Sequence, residues 1–204
     1  MRVLQGLRLK GPADLATLAH LVELPEDEVQ SHLDALAAND LAVHRQGALS
    51  GWTLTPTGRT EGQRLVAEEL ERLGLGEVVQ DGYEAFVTLN QDLLETCSRW
   101  QVRPAGGSQA LNDHSDPQYD RAVMDDLRAL DAAVQPICRQ LASHLARFGS
   151  YAPRFSAALE RLAAGELEWF TRPVIDSYHT VWFELHEDLL STLGLERAVE
   201  GTRR

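Results

Sequence analysis

Residues 41 to 59 read LAVHRQGALSGWTLTPTGR and carry the clearest structural signal in the chain. Leu41, Val43 and Arg45 alternate with Ala42 and His44, and Trp52 and Leu54 alternate with Thr53 and Thr55, which indicates two short β-strands. Between them, Gly47 and Gly51 are free to adopt the positive φ values that a turn requires. The segment therefore predicts a β-hairpin.

Helical patterns bound the hairpin on both sides. Pro56 has no N–H with which to extend a strand, and Gly58 lies where the next helix opens. Apolar spacing before the hairpin predicts three helices, over residues 2–10, 14–22 and 25–38. Pro25 and the three acidic residues after it mark the start of the third helix, and Asn39 is expected to end it in a left-handed conformation. Helices followed by a hairpin in this order predict a winged helix-turn-helix.

The rest of the chain predicts a second, helical domain. Gly74 and Gly76 interrupt the pattern, so we place a winged helix domain at residues 1–75 and a helical domain at residues 76–204. The second domain is expected to hold helices over 77–102, 117–148, 151–164 and 172–193, a polar loop over 103–117, and a frayed tail at 201–204. The predicted fold class is mostly α, with an N-terminal winged helix-turn-helix, a small hairpin wing and a C-terminal bundle of about four helices.

The chain is acidic, which restricts how it can bind nucleic acid. Its formal net charge is −12, and residues 1–76 carry 7 basic and 11 acidic side chains, which gives −4. Phosphate binding depends on neutralisation by Lys and Arg, so any DNA contact has to come from a local patch. No signal-peptide pattern and no apolar run of about 18 residues are present, so we expect a cytoplasmic protein without a membrane span. Cys97 and Cys138 have apolar neighbours and are expected to be buried free thiols.

The phrase Leu54-Thr55-Pro56-Thr57-Gly58-Arg59 resembles the end of the wing in MarR-like bacterial regulators, where a phrase like LTPAGR follows the hairpin. The resemblance covers roughly residues 1–75. It implies a winged helix that binds DNA, with residues 25–38 as the recognition helix. The remaining residues are longer than the usual MarR dimerisation helices, and they resemble more loosely the C-terminal segments of uncharacterised actinobacterial winged-helix proteins.

Two groups of polar side chains are candidates for DNA contacts. The recognition helix offers Gln30, Ser31 and His32 to base edges, and the wing offers Arg45, Gln46 and Ser50 to the minor groove or the backbone. Acidic residues on the same helix would face phosphates. Two interpretations therefore remain open, namely sequence-specific DNA binding and a winged helix kept as a protein-interaction or dimerisation module.

A second candidate site centres on the helix at residues 176–190, DSYHTVWFELHEDLL. A projection at 100° per residue places His179 and His186 inside a broad apolar arc, opposite a polar face that includes Glu184 and Asp188. The polar loop at residues 111–120 has two interpretations: a solvated loop without a functional role, or a loop that folds over the end of the bundle and pairs a carboxylate with His179 or His186. The candidate ligand-binding residues are Trp100, Arg103, His114, Tyr178, His179, Trp182, Phe183 and His186.

Three interpretations of this second site remain open: hydrogen-bonded core histidines, a ligand pocket, and a metal site that includes His114 and Asp116. The seven-residue spacing of the two helical histidines is about 10 Å, which is long for one metal ion. Leu190 stands where an HExxH motif needs its second histidine, and the chain has neither a phosphate-binding glycine loop nor a GxSxG motif. We therefore expect no metal, no cofactor and no catalytic residue.

Together these features predict a bacterial transcriptional regulator. The winged helix would bind DNA, and the helical bundle would form a homodimer and hold a small-molecule effector. The effector would favour one arrangement of the two winged helices and shift the DNA-competent population. The alternatives are an interaction module without DNA affinity, and an enzyme or metal protein that uses His179 and His186.

Overall fold

The structure is a computed structural model that describes residues 2–47, 50–105 and 108–195. It is mostly helical, with eight α-helices and two small antiparallel hairpins in that part of the chain. The predicted mostly α class is confirmed. No helix of the described part is both long and apolar enough to cross a lipid bilayer.

The first part of the chain forms the predicted succession of helices and a hairpin. Its elements are α1 (Arg2–Lys10), α2 (Leu15–Val22), α3 (Glu26–Ala38), β1 (Ala42–Arg45), β2 (Gly51–Leu54) and α4 (Pro56–Leu73). The two strands pair antiparallel from Ala42 opposite Leu54 to Arg45 opposite Gly51. One local prediction was wrong, because the left-handed residue after α3 is Asp40, with φ 56°, whereas Asn39 has φ −102°.

A small apolar core holds these elements together. Leu7 of α1, Leu18 of α2, and Val29 and Leu33 of α3 are buried almost completely. The chain between α1 and α2 adds a third, one-residue strand to the hairpin, since Ala13 exchanges two backbone hydrogen bonds with Trp52 (N···O 3.0 and 2.8 Å). The hairpin is therefore attached to the helices by backbone bonds as well as by packing.

The phrase LTPTGR forms a tight junction at the start of α4. The Thr55 N–H donates to the carbonyl oxygen of Leu41 (3.1 Å), and the Thr55 hydroxyl caps α4 by accepting from the Gly58 N–H (2.9 Å). A Cβ on Gly58 would lie 1.8 Å from the Leu41 carbonyl oxygen, so no larger residue fits there without moving the backbone. The glycine lets α4 begin directly against the chain that leaves α3.

The second part of the chain contains four α-helices. Its elements are α5 (Gly76–Gln101), β3 (Val102–Ala105), β4 (Ser108–Leu111), α6 (Pro117–His144), α7 (Tyr151–Ala163) and α8 (Tyr178–Leu193), with 3-10 turns at Ala146–Ser150 and Leu167–Trp169. The predicted polar loop after α5 was wrong, because β3 and β4 form a hairpin there. The four residues of β4 are all exposed and Pro104 interrupts β3, so no alternating pattern marked either strand.

Helix α8 begins later than the sequence pattern suggested. We predicted a helix from Arg172, but the helix starts at Tyr178. Val174 has φ 68°, a conformation that a β-branched residue rarely adopts, and this residue breaks the helical path. Helix α6, in contrast, continues through Pro136 to His144.

Internal contacts divide the chain into two compact units. The first unit holds the residues up to Val79 together with those from Glu187 onward, and the second holds Gln80 to His186. The division predicted at residue 75 places all of α8 in the second domain, whereas the contacts group its last turns with α1. Gln5 of α1 donates to Asp188 and Ser191 of α8 (both 2.8 Å), which explains this grouping.

We predict that Gly58→Ala destabilises the first unit strongly. The added methyl group would overlap the Leu41 carbonyl, and overpacking against backbone costs about 3 kcal/mol. Urea unfolding followed by circular dichroism measures the loss. Gly76→Ala is the matched control, because a Cβ at Gly76 meets nothing within 4 Å. Equal stability of the two variants would contradict the close contact.

Candidate nucleic-acid interface and candidate ligand site

Helix α3 is held with one face exposed. The Asp14 side chain caps α2 by accepting from the Thr17 N–H (2.8 Å), and Glu23, with φ 53°, turns the chain from α2 into α3. Val29 and Leu33 anchor α3 in the core. The opposite side of the helix is consequently open to solvent, as a groove-binding helix requires.

The three residues of α3 that we predicted to contact bases lie on or beside this open face. Ser31 and His32 are exposed, and Gln30 is half-buried. Gln30 Nε2 donates to Asp34 Oδ1 (2.8 Å), and Ser31 Oγ donates to the Asp27 carbonyl oxygen (3.0 Å). Gln30 retains its carbonyl oxygen and one amide hydrogen, so it can still form the bidentate pair that recognises adenine.

The end of the β1–β2 hairpin carries the other predicted DNA contacts. Arg45, Gln46 and Ser50 are all exposed, while residues 48–49 at the tip lie outside the described residues. Near the loop end of the hairpin, the His44 ring meets the Trp52 ring edge-on, with their centroids 5.2 Å apart. Arg45 forms no ion pair with any residue that the structure describes, so its charge is available to a partner.

The charge of the first unit is unfavourable overall for binding an anionic polymer such as DNA. Glu26, Asp27 and Glu28 are exposed in the first turn of α3. Arg64, one of the few basic residues of this unit, is held by two carboxylates on its own helix, Glu61 (2.6 Å) and Glu68. Positive charge near the candidate interface therefore comes from a small number of side chains.

The C-terminal candidate residues Tyr178 and Trp182 form the aromatic core of the second unit. Trp182 contacts Phe86 (ring centroids 4.6 Å) and Phe155 (5.9 Å), and its indole N–H donates to Asn90 Oδ1 (3.1 Å). Tyr178 is fully buried and donates to Asp131 (3.2 Å), and burial raises the pKa of its hydroxyl. Their surfaces are covered by protein, so these two residues act in packing.

The other predicted residues of α8 differ in their surroundings. His186 is buried, with its ring 5.5 Å from Phe86 and 6.3 Å from Tyr83. His179 is half-buried, and its backbone N–H donates to the Phe170 carbonyl oxygen (3.0 Å). Phe183 is 41% exposed, so it is the most solvent-accessible of the five predicted residues on this helix.

The helical projection failed because the supposed polar face of α8 is buried too. Glu184 is only 3% exposed, and Arg154 of α7 bonds to it (2.5 Å) and to both oxygens of Asp176 (2.8 and 3.0 Å). Burial opposes the charged form of Arg154, but the two carboxylates outweigh it and raise its pKa. We had not singled out Arg154; its place between Tyr151 and Phe155, which are both buried, was the available signal.

Trp100, Arg103 and His114 come together around the second hairpin. The His114 ring lies 4.5 Å from Trp100, and Arg103 pairs with Asp113 (2.9 Å) in the same loop. The loop does bring a carboxylate to a histidine, but the histidine is its own: His114 Nδ1 lies 3.0 Å from Asp120 Oδ2. These contacts attach the hairpin to the start of α6.

Asn112 organises the turn that follows this hairpin. Its side-chain amide donates to Asp120 Oδ1 (2.8 Å) and to the Trp100 carbonyl oxygen (3.1 Å), and its own carbonyl oxygen accepts from the His114 N–H (3.2 Å). Asp116 stands before Pro117, a favoured first residue of a helix, and it caps α6 by accepting from two backbone N–H groups. The polar residues of this loop thus have structural roles.

The remaining reactive groups are shielded. Burial raises the pKa of the Cys97 and Cys138 thiols to about 12, so both are protonated at neutral pH, and both are free and buried, as predicted. Within residues 2–47, 50–105 and 108–195, no group of three or more His, Cys, Asp or Glu side chains is arranged to hold a metal ion.

We predict that Arg154→Met costs about 3–5 kcal/mol of stability, because removing one partner leaves a buried carboxylate without its cation. Urea unfolding measures the difference. Arg161→Met is the control, since Arg161 pairs with Glu166 on the exposed surface and should contribute below about 1 kcal/mol. Similar losses in both variants would contradict a special role for the buried ion pair.

Comparison of the chain with protein families, curated proteins and solved structures gave no match.

Proposed function

We propose that residues 2–73 form a winged helix that binds DNA and that the protein is a transcriptional regulator. The observation that carries the proposal is the pair of backbone bonds between Ala13 and Trp52. It makes the chain between α1 and α2 a third strand of the hairpin, in the order helix, strand, helix, helix, strand, strand. A winged helix-turn-helix has its elements in this order. The helix-turn-helix itself corresponds to α2 and α3, and its second helix, here α3, is the one that enters the major groove.

The junction at Gly58 supports the resemblance to MarR-like regulators. The residues of LTPTGR have specific structural tasks: Thr55 caps α4, Pro56 begins the helix and Gly58 permits the contact with Leu41. A phrase whose residues have such specific tasks is more distinctive than the helical spacing around it. It supports a wing that ends as in that family.

Two exposed groups of side chains in the same unit supply the proposed contacts. Gln30 and Ser31 of α3 would meet base edges in the major groove, with His32 beside them, and Arg45 with its neighbours in the hairpin would meet the minor groove or a phosphate. Because few cations are available, only about two or three phosphates would be neutralised per protomer. The salt dependence of binding should then be shallow for a DNA-binding protein.

Two further parts of the proposal concern assembly and regulation. A homodimer would place two α3 helices at half-sites about 34–36 Å apart. The helical second unit is the proposed place for dimerisation, and an effector bound there would shift the population of DNA-competent dimers. The packing of Tyr178 and Trp182 argues against the space around them as the effector site.

The experiment is a mobility shift of the full chain on the DNA upstream of its own coding sequence, across a salt series. We expect a specific complex. Arg45→Gln should weaken binding to all sequences and reduce the salt slope by about 1, whereas Gln30→Ala should cost about 1–3 kcal/mol and relax discrimination at one base pair. Arg161→Gln, in the second unit, is the control. Absence of any complex at low salt with folded protein would end the regulator proposal.

The acidic first turn of α3 favours a second candidate, a winged helix that binds another protein. Under the DNA proposal, neutralising Glu26, Asp27 and Glu28 together (to Gln, Asn and Gln) should strengthen DNA binding, since it removes repulsion from phosphates. Under the second candidate the wild-type chain binds no DNA, and the neutralised variant binds none either. The same mobility shift therefore separates the two functions.

A further inference from the structure

The first unit contains a cavity of about 410 Å³ on the side of α3 that adjoins α1 and α4. Sites that hold small ligands typically measure about 300–1,000 Å³ and are mostly apolar with a few polar groups. The cavity is within this range. Leu24, Leu36, Leu41 and Leu65 line it, and each of them is only half-buried, so their apolar surface faces the open space.

The floor of the cavity is closely packed. Leu4 of α1 is almost fully buried and lines the cavity from below. A Cβ on Gly62 of α4 would lie 2.3 Å from Leu4 Cδ2, so this glycine allows α4 to press against α1. The open space is therefore bounded by well-packed side chains, which is the arrangement of a preformed site.

The rim of the cavity carries four polar side chains, those of Arg2, His32, Asn39 and Glu61, and the Asn39 amide already donates to the Ala35 carbonyl oxygen (2.8 Å). The side chains of Arg2 and His32 have no hydrogen bond and no ion pair within the part of the chain that the structure describes. The rim also holds Glu61, but this carboxylate is already bound by the Arg64 guanidinium through two hydrogen bonds (2.7 and 2.6 Å). The available donors are therefore a guanidinium and an imidazole, which suit an anionic group.

From this combination we propose that the cavity between α1, α3 and α4 binds a small acid, with its apolar body among the four leucines and its carboxylate at Arg2 and His32. Charge-assisted hydrogen bonds from Arg to a carboxylate give orientation as well as affinity. An uncharged ligand of the same shape would lose that contact, and a cationic one would meet repulsion from Arg2. The site is separate from the proposed effector site in the second unit, and its occupancy can be measured without DNA.

The test uses three probes that share one alkyl chain: octanoate, octanamide and octylammonium. Each is titrated into the full chain at neutral pH and followed by amide chemical shifts in NMR spectra. We expect saturable shifts with octanoate at Leu24, Ala35, Asn39 and Leu65. Octanamide should bind about tenfold more weakly and octylammonium more weakly still. No saturable shifts with octanoate, or shifts centred elsewhere, would overturn the site, and equal affinities for all three probes would overturn the role of its charge.

Two pairs of variants locate the binding. Ala35→Leu should abolish octanoate binding, because Ala35 lines the cavity and a larger side chain would fill it; Ala37→Leu, on the same helix but outside the lining, should not. Both alanines are exposed, so both variants should fold. Arg2→Gln should weaken octanoate about tenfold and leave octanamide unchanged. Binding that survives Ala35→Leu would overturn the proposal. These outcomes do not depend on whether the chain binds DNA.

Discussion

The contact between the Leu41 carbonyl and Gly58 is the constraint on which the first unit depends. Leu41 ends the turn after α3 by donating its N–H to Leu36 (2.8 Å), and its carbonyl oxygen accepts from Thr55 at the end of the hairpin. One residue thus joins the end of α3, both strands and the start of α4. The exposed face of α3 and the projecting hairpin owe their common arrangement to this junction, and the proposed DNA contacts use both. The cavity also owes its shape to it, because Leu41 lines one wall.

An acidic chain has to place many carboxylates, and this one buries some of them. Glu184 and Asp188 of α8 are almost inaccessible, and each is bound by a side chain from another helix of its own unit, Arg154 or Gln5. Burying a carboxylate is unfavourable unless hydrogen bonds and a cation compensate for lost hydration. The bond from Arg154 attaches the part of α8 before residue 187 to α7 within the second unit. The bond from Gln5 attaches the rest of α8 to α1 within the first unit. The carboxylates of Glu184 and Asp188 are therefore inaccessible from solvent, whereas the acids in the first turn of α3 remain exposed.

The sequence was most informative where local chemistry determines structure. The hairpin at residues 42–54, the cap at Asp116 and the helical class followed from turn glycines, a proline at a helix start and apolar spacing. The β3–β4 hairpin was missed because its strands are short and exposed. Without a buried face, the sequence of such a strand does not alternate between apolar and polar residues. The face of α8 was misjudged for the opposite reason: partners distant in sequence neutralise its acids, and no local rule shows that Arg154 lies beside Glu184. Of the candidate ligand residues, Trp100 and His114 do lie together, through the contacts of Asn112 and Asp120 that spacing alone does not reveal.

Aromatic density and ligand binding are different properties, and the two units illustrate the difference. Helix α8 is dense in aromatic and histidine residues, and its rings form part of a closely packed core. Large rings that pack against one another leave little space for a ligand. Open space instead lies where four leucines remain half-buried beside an arginine without an ion-pair partner among the described residues. The proposed acid site therefore rests on half-buried apolar surface next to a charged side chain, and not on the variety of residue types in one helix. This cavity adjoins α3, the helix whose exposed face is proposed to contact DNA. His32 lines the cavity and also lies beside the proposed base contacts Gln30 and Ser31.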